Sequence, residues 1–356
     1  MFEPISILSH RGSYTVFFDE GALEAINETM GTGTHFLIDR KVADLYNDEL
    51  SKVIDSHSVL LIEANEINKS LHRFPEYVKH LVSKGIHKNH RLVAIGGGII
   101  QDITCFLAAT LLRGLPWYFY PTTLLAQADS CIGSKSSINV ADTKNILGTF
   151  TPPVQIYICT HVLKTLEARE VHSGIGEMLK VHAIEGPESF NRIASDYNNM
   201  LTDISMMGDY IYRSLQIKKP IIEADEFDKG PRNIMNYGHS FGHAIESATD
   251  FVIPHGIAVT IGMDMANYLA FHIDGSDASH YERMHPVLKE NTRDFEHIVV
   301  PQEKFFSALS KDKKHTDADL KLILPDSKGK IIVRLISNDK KFRDLCIQYL
   351  KEDRLK

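Results

Sequence analysis

A buried strand that runs directly into three glycines is the feature that most constrains how this chain folds. Residues 91–95 (RLVAI) predict a strand, and Gly96, Gly97 and Gly98 follow without a break. Glycines at a strand end let the backbone approach a ligand closely, and the N-terminus of the next helix attracts phosphate. The spacing is not GxGxxG, so a tight strand-to-helix turn without a ligand stays open as an alternative for these residues alone.

Strands and helical patterns alternate through the first half of the chain. Further strands are predicted at 35–39, 58–64, 117–121 and 155–160, with a helix over 73–85. This alternation predicts an α/β domain, Rossmann-like with a mostly parallel sheet. Helical patterns dominate from 168 to 270, short strands are predicted at 321–325 and 330–335, and an amphipathic helix closes the chain. We therefore predict an α/β domain over 1–165 and a mainly α-helical domain over 166–356.

The composition excludes several classes of protein. Among 356 residues, 43% are apolar and 24% charged, and the net charge is 39 − 46 = −7. These values argue against disorder, and the negative charge argues against nucleic-acid binding and against an anionic membrane surface. Neither a signal peptide nor a membrane-length apolar stretch is visible. Four cysteines without CxxC spacing predict reduced thiols in a cytoplasmic protein: Cys105, Cys131, Cys159 and Cys346.

A second pattern suggests a metal site. His239 and His243 are spaced i, i+4 on one helix face, and His255 follows after a short connection. Glu177 and Lys180 share another helix face. Catalytic zinc typically takes three protein ligands and leaves one position open. With 18 histidines such a pair can also arise by chance, and the absence of HExxH argues against a zinc protease.

Charged residues near strand ends and glycines suggest a pocket for an anionic substrate. Asp39 ends a strand, where a carboxylate can bind a ribose hydroxyl, and Glu66 and Lys69 follow another strand. Taken one by one, the nearby cations are explained as solvated surface charges. As a cluster beside glycine and small polar residues, in segments typical of loops and pockets, they favour a phosphorylated or carboxylated substrate: Arg113, Lys135, Lys144, Lys180, Lys218 and Arg232.

Several segments together resemble the 3-dehydroquinate synthase family of sugar-phosphate cyclases. The longest are 121–139 (PTTLLAQADSCIGSKSSIN), 144–150 (KNILGTF), 163–170 (LKTLEARE), 176–180 (GEMLK) and 232–246 (RNIMNYGHSFGHAIE). Shorter ones are 64–70, 96–102, 109–114 and 310–314. They occur in the family's order over most of the chain. The resemblance implies an NAD-binding α/β domain, a helical domain with a catalytic zinc or cobalt ion, and a homodimer.

The resemblance also implies a set of site residues. The metal ligands are Glu177, His239 and His255. The NAD contacts are Asp39, Glu66, Lys69, Gly97, Gly98, Asp102, Thr122, Thr123, Lys144 and Thr165. The catalytic and substrate residues are Asp129, Lys135, Asn145, Lys180, Lys218, Asp228, Arg232, Asn236, His243 and Lys313 or Lys314, with Arg113 reaching the substrate phosphate across the dimer interface.

The implied reaction converts 3-deoxy-D-arabino-heptulosonate 7-phosphate to 3-dehydroquinate and phosphate without net redox change. Its steps are transient oxidation of a ring hydroxyl by NAD⁺, phosphate elimination, reduction, ring opening and an intramolecular aldol reaction. A cation such as Lys180 can stabilise a developing oxyanion. His243 can pass a proton near neutral pH.

Two single residues and one loop depart from the family pattern. Asp228 stands where a glutamate is usual and is one methylene shorter, which reduces its reach. The loop usually similar to GGKTGVN is GSKSSIN, and Ile257 replaces an acidic residue near the third metal ligand.

Other activities stay open. A paralogous cyclase that makes 2-deoxy-scyllo-inosose or a valiolone is one, and a metal-dependent NAD polyol dehydrogenase is another. A non-catalytic binding protein on this scaffold is the third, although it would not need an intact metal-ligand set.

Overall fold

A seven-stranded sheet organises the first half of the chain in the computed structural model, which describes residues 2–29, 31–141, 143–274, 278–310 and 319–355. The strands of this half are β1 (Ile5–Ile7), β2 (Tyr14–Phe18), β3 (Thr34–Asp39), β4 (Val59–Ile62), β5 (Arg91–Gly96), β6 (Trp117–Pro121), β7 (Lys135–Val140), β8 (Thr143–Phe150) and β9 (Gln155–Ile158). The sheet order is β1-β2-β9-β6-β5-β3-β4, and only the β1–β2 pair is antiparallel.

The central strands have unbroken apolar sequences because nearly all of their residues are buried. From Leu92 to Gly96 every residue of β5 is buried, because a parallel sheet is covered by helices on both faces. The helices of this half are α1 (Ala22–Thr29), α2 (Arg40–Leu45), α3 (Ser51–Ile54), α4 (Phe74–Ser83) and α5 (Gly98–Thr110), of which α2 and α5 pack on strands of the sheet. The predicted Rossmann-like α/β architecture is confirmed.

The second half is mainly helical, as predicted. Its elements are α6 (Ala168–Glu185), α7 (Pro187–Met200), α8 (Ile204–Ala224), α9 (His239–Ala248), α10 (His255–Asp274), α11 (Ser279–Thr292), α12 (Gln302–Ser310), β10 (Asp319–Pro325), β11 (Ile331–Ser337) and α13 (Lys340–Lys351). Helix α10 is apolar around most of its circumference, and it packs against α6, α9, α11 and α13. In the described part of the chain, no helix has both the length and the apolar character needed to cross a membrane.

The chain forms two compact units, and no single boundary in the sequence separates them. Unit 1 comprises Met1–Leu166 and Met207–Phe227, and unit 2 comprises Glu167–Met206 and Asp228–Lys356. Most of α8 therefore belongs to unit 1, whereas the sequence places it in a continuous domain over 166–356. Polar contacts account for the difference, since the Leu8 N–H donates to Glu223 Oε1 (2.8 Å) and Ser9 Oγ donates to Glu226 Oε1 (2.7 Å). Helical periodicity predicts α8 but not the core on which it packs.

Candidate active site

The glycine-rich turn of unit 1 lies at the carboxyl end of β5. Gly97 precedes α5 as its N-cap, and a Cβ at this position would lie 2.7 Å from Thr123 Cγ2. A Cβ at Gly98 would meet no atom within 4 Å. There is therefore open space beside Gly98 at the N-terminus of α5, and the N-terminus of a helix attracts a pyrophosphate.

Neighbouring strand ends supply polar groups around this turn. Asp39 ends β3 and caps α2, because its Oδ1 accepts the Lys41 N–H at 3.1 Å. Burial raises the pKa of Asp39. The Thr122 N–H donates to the Gly96 carbonyl at 3.0 Å, and Thr123 Oγ1 accepts the Ala126 N–H at 3.3 Å. Thr165, another predicted NAD contact, hydrogen-bonds the Tyr46 hydroxyl and the Val162 carbonyl oxygen.

A buried lysine contacts two other predicted site residues in unit 1. Lys69 is 5% exposed, and its Nζ donates to Asp102 Oδ2 (2.9 Å) and to Asn145 Oδ1 (2.8 Å). Ser137 contributes an N–H to Asp102 Oδ1 and a hydroxyl to Asn145 Oδ1. Burial raises the pKa of Asp102, although Lys69 opposes this shift. The network holds the Lys69 cation in a fixed position beside α5.

Two of the segments expected to form loops, those around Lys135 and Lys144, instead form an antiparallel hairpin of β7 and β8. The alternation of small and polar residues hides this strand pair in the sequence. The hairpin carries Asn139, whose side chain donates to Glu66 Oε2 (2.8 Å) and accepts the Asn145 N–H (2.9 Å). Lys144 Nζ lies 3.9 Å from Glu66 Oε2. The hairpin thus brings Glu66, Lys144 and Asn145 together.

Other predicted substrate residues of unit 1 lie on separate elements. Lys218 of α8 is buried and forms an ion pair with Asp129, with Nζ 2.7 Å from Oδ1 and 2.6 Å from the Asp129 carbonyl oxygen. Asp129 lies in a π-helical turn at Ala126–Ser130, a distortion frequent at functional sites. Lys135 begins β7 and is exposed. Arg113 is also exposed and has a φ of 67°, in the left-handed region.

In unit 2, one carboxylate and two imidazoles converge. Glu177 Oε1 lies 3.3 Å from His255 Nε2 and 3.7 Å from His239 Nε2. The Glu177 side chain is only 1% exposed, and its Oε1 accepts no well-formed hydrogen bond from the described residues. A buried carboxylate oxygen that faces two imidazole nitrogens suits a divalent cation. The donor set fits zinc or cobalt.

Lys180 and His243 flank this cluster. Lys180 is 2% exposed, and its Nζ pairs with the second Glu177 oxygen. Burial alone raises the pKa of Glu177, but Lys180, His239 and His255 together hold it well below its ordinary value. His243 is more exposed, and a donor nitrogen of its ring lies within 4.8 Å of the nearest ones in His239 and His255. His243 is therefore a geometric alternative to Glu177 as the third ligand.

Two glycines bring the ligand-bearing helices into contact. Gly176 precedes Glu177 on α6, and Gly256 follows His255 on α10. A Cβ at Gly256 would lie 1.8 Å from the Ser173 carbonyl oxygen, and one at Gly176 would lie 2.3 Å from the Gly256 carbonyl oxygen. Larger residues would hold the helices apart. The position of Glu177 relative to His255 depends on this backbone contact.

Glu246 is a site residue that the motif analysis did not single out. His255 Nδ1 lies 3.1 Å from Glu246 Oε2, so the ring is held between two carboxylates. Burial lowers the pKa of His255, but the nearby carboxylates of Glu177 and Glu246 outweigh this effect and raise it to about 10. Ile257, where the family pattern has an acid, is fully buried. A carboxylate nine residues before His255 thus contacts its ring, a spacing that no simple motif reveals.

The remaining predicted residues of unit 2 precede α9. Arg232 is 4% exposed, and Asn236 Nδ2 donates to the Asn233 carbonyl oxygen at 3.2 Å. Asp228 is partly buried and has a φ of 55°, which constrains the chain just before Arg232. Lys313 and Lys314 lie outside the residues that the structure describes.

Replacing Glu246 with glutamine is expected to weaken metal binding by about 10- to 100-fold, because carboxylates that orient a ligating histidine have effects of this size. The side chain keeps its shape but loses the charge that faces His255 Nδ1. Titration of the metal-free protein with Zn²⁺ measures the change. Glu303→Gln, an exposed carboxylate of α12, is the control. Equal affinities for both variants would show that Glu246 does not orient His255.

A glycine-rich strand end in an α/β unit and a carboxylate–histidine cluster in a helical unit are together typical of enzymes that combine a nucleotide with a divalent metal. Two family models match the chain in succession, 3-dehydroquinate synthase N-terminal over 59–173 and 3-dehydroquinate synthase C-terminal over 174–315. A 3-dehydroquinate synthase of Clostridium tetani is 36% identical over 295 residues, covering 82% of this chain and 79% of that protein. The chain belongs to the 3-dehydroquinate synthase family.

Solved structures show the same fold. ValA, a 2-epi-5-epi-valiolone synthase of Streptomyces hygroscopicus subsp. jinggangensis with NAD⁺ and Zn²⁺ bound, matches with a TM-score of 0.84 at 25% identity and covers 98% of this chain and 99% of its own. A 2-deoxy-scyllo-inosose synthase complexed with carbaglucose-6-phosphate, NAD⁺ and Co²⁺ matches with a TM-score of 0.82 at 21% identity, covering 98% and 100%.

Proposed function

We propose that this protein is a 3-dehydroquinate synthase, a phosphate-eliminating lyase that depends on NAD and on zinc or cobalt. Its substrate is 3-deoxy-D-arabino-heptulosonate 7-phosphate, and its products are 3-dehydroquinate and inorganic phosphate. The observation that carries the proposal is the convergence of His239 and His255 on the buried Glu177 carboxylate, beside Lys180. A binding protein on this scaffold would not need such a set.

The proposed roles follow from charge and burial. NAD supplies a reversible hydride acceptor, and the divalent ion polarises a hydroxyl or carbonyl oxygen. Glu177, His239 and His255 hold the ion, and the strand ends of unit 1 with Lys69 hold the nucleotide. Lys180 provides a positive charge near a developing oxyanion, and the exposed His243 imidazole can transfer a proton. The buried guanidinium of Arg232 suits an anionic group of the substrate.

The number of buried lysine and arginine side chains distinguishes the proposed cyclase from a polyol dehydrogenase. A polyol carries no phosphate or carboxylate, so a polyol dehydrogenase has no need for Lys180, Lys218 and Arg232 in buried positions. A paralogous cyclase is favoured by a different observation, since Asp228 and Ile257 depart from the 3-dehydroquinate synthase pattern. Both alternatives are therefore included as outcomes of the test.

A homodimer and a cytoplasmic location complete the proposal. The exposed Arg113 belongs to a motif whose resemblance implies contact with the substrate of a partner subunit, and Leu112 beside it is also exposed. All four cysteines are buried and free of disulfides, which supports a reducing compartment.

The test is phosphate release by the purified, metal-loaded protein with NAD⁺. Three substrates are supplied separately: 3-deoxy-D-arabino-heptulosonate 7-phosphate, glucose 6-phosphate and sedoheptulose 7-phosphate. We expect release from the first alone, with the product mass of 3-dehydroquinate and no net NADH. Release from one of the others would assign a paralogous cyclase. NADH accumulation with glycerol would assign a dehydrogenase. Protein that binds NAD and metal but acts on none of these would contradict the proposed activity.

A further inference from the structure

A second group of potential metal ligands lies in unit 1, and it includes none of the site residues described above. Glu20 follows β2, while Cys159 and His161 follow β9, and these two strands are parallel neighbours. Because the carboxyl ends of parallel strands share one edge of the sheet, residues 139 positions apart in the sequence meet there.

The three side chains form a triangle of donor atoms. Cys159 Sγ lies 2.8 Å from His161 Nδ1 and 3.7 Å from Glu20 Oε2, and His161 Nδ1 lies 3.6 Å from Glu20 Oε2. Bonds of about 2.0–2.3 Å in a tetrahedral zinc site place neighbouring ligand atoms roughly 3.3–3.7 Å apart. Two edges of the triangle have this length, and the third must open by less than about 1 Å.

The surrounding contacts hold these donors in position. The other ring nitrogen of His161, Nε2, lies 3.1 Å from Glu49 Oε2, and histidine ligands almost always direct their second nitrogen to such an acceptor. Glu20 accepts the N–H groups of Thr160 (2.9 Å) and His161 (3.0 Å). These bonds fix the carboxylate while leaving a lone pair on Oε2.

The charge of the cluster favours a cation. Within the residues that the structure describes, neither Glu20 nor Glu49 pairs with a lysine or an arginine, so two carboxylates face a single imidazole. Burial raises the pKa of the Cys159 thiol, and the nearby Glu20 carboxylate adds to this effect. A divalent ion would offset the negative charge and displace the thiol proton to solvent as the metal–sulfur bond forms.

We propose that Glu20, Cys159 and His161 bind a zinc ion, with a water molecule as the fourth ligand and Glu49 orienting the imidazole. Thiolate, imidazole and carboxylate together form a donor set of the borderline softness that Zn²⁺ prefers. Ions reach the site from solvent, because the side chains of Glu20, Glu49 and His161 are 58%, 39% and 29% exposed. The ion ties the end of β2 to the end of β9.

Cobalt titration of the metal-free, full-length protein tests this site separately from the Glu177 cluster. A thiolate–cobalt charge-transfer band in the near ultraviolet requires a sulfur ligand, and the Glu177 cluster contains none. We expect the band in the wild type and in His239→Ala, and its loss in Cys159→Ser. Cys131→Ser, which alters another buried free thiol of unit 1, should retain it. Bound zinc should fall from about two ions per chain to about one in Cys159→Ser.

Two further variants cover the case in which Cys159→Ser does not fold. Glu20→Gln and Glu49→Gln change exposed side chains, and each should weaken the cobalt affinity measured at the charge-transfer band by about 10-fold or more. A wild type that binds one metal ion and shows no band would overturn the proposal. In that case the contacts of His161 with Glu20 and Glu49 hold these side chains together without a metal ion. A band that persists in Cys159→Ser would overturn it as well.

Discussion

His239→Ala is expected to abolish turnover, reducing phosphate release by about 10³-fold or more. The substitution removes the imidazole that faces Glu177 Oε1 at 3.7 Å and leaves this buried carboxylate with one fewer neutralising partner. Metal affinity should fall by well over about 100-fold, more than for a residue that only orients a ligand. Metal content after dialysis and phosphate release with NAD⁺ measure the two effects. His297→Ala, an exposed histidine of the same unit, is the control.

The same measurements decide which three residues bind the ion. If Glu177, His239 and His255 are the ligands, His243→Ala should retain the metal and lose about 10²- to 10⁴-fold in rate, as expected for a proton-transfer group. Glu177→Gln should then lose the metal. The opposite result, with metal lost from His243→Ala and retained by Glu177→Gln, would assign the ion to the three histidines.

Gly256→Ala is expected to destabilise the protein by about 3 kcal/mol and to weaken metal binding by at least about 10-fold. The added Cβ would lie 1.8 Å from the Ser173 carbonyl oxygen, so α6 and α10 must separate. Separation moves His255 away from Glu177, because each ligand is adjacent to a glycine of the contact. Urea unfolding and zinc titration report the two effects.

Gly208→Ala is the matched control for this substitution. Gly208 also lies within a helix, but a Cβ there would be 3.6 Å from its nearest neighbour, an ordinary contact distance. It should stabilise the protein by up to about 1 kcal/mol, since alanine is the better helix former. If Gly256→Ala left both the unfolding midpoint and the zinc affinity unchanged, the close helix contact would not be what positions His255.

Local sequence patterns determined the architecture and much of the candidate site. The buried strand at 91–95 and the glycines after it predicted β5, the turn and α5, because an unbroken apolar run followed by glycine has few other uses. The i, i+4 spacing of His239 and His243 placed both on α9. The order of the motifs indicated the family, since each motif is short but their succession spans most of the chain.

Tertiary packing decided what local patterns cannot encode. The assignment of α8 to unit 1 depends on contacts such as Lys218 with Asp129, 89 positions apart, although its periodicity would suit either core. The β7–β8 hairpin follows from pairing between strands whose small polar residues carry little strand signal.

Tertiary packing also decided which side chains from distant parts of the sequence meet in the candidate sites. Glu246 contacts His255 because α9 and α10 pack together, and Glu20 contacts Cys159 because β2 and β9 are neighbours in the sheet. Local propensity depends on residues a few positions apart, whereas these contacts depend on which surfaces bury one another. Hence the sequence by itself determined the elements and the residue types of the chemistry, and only the tertiary structure decided which side chains meet.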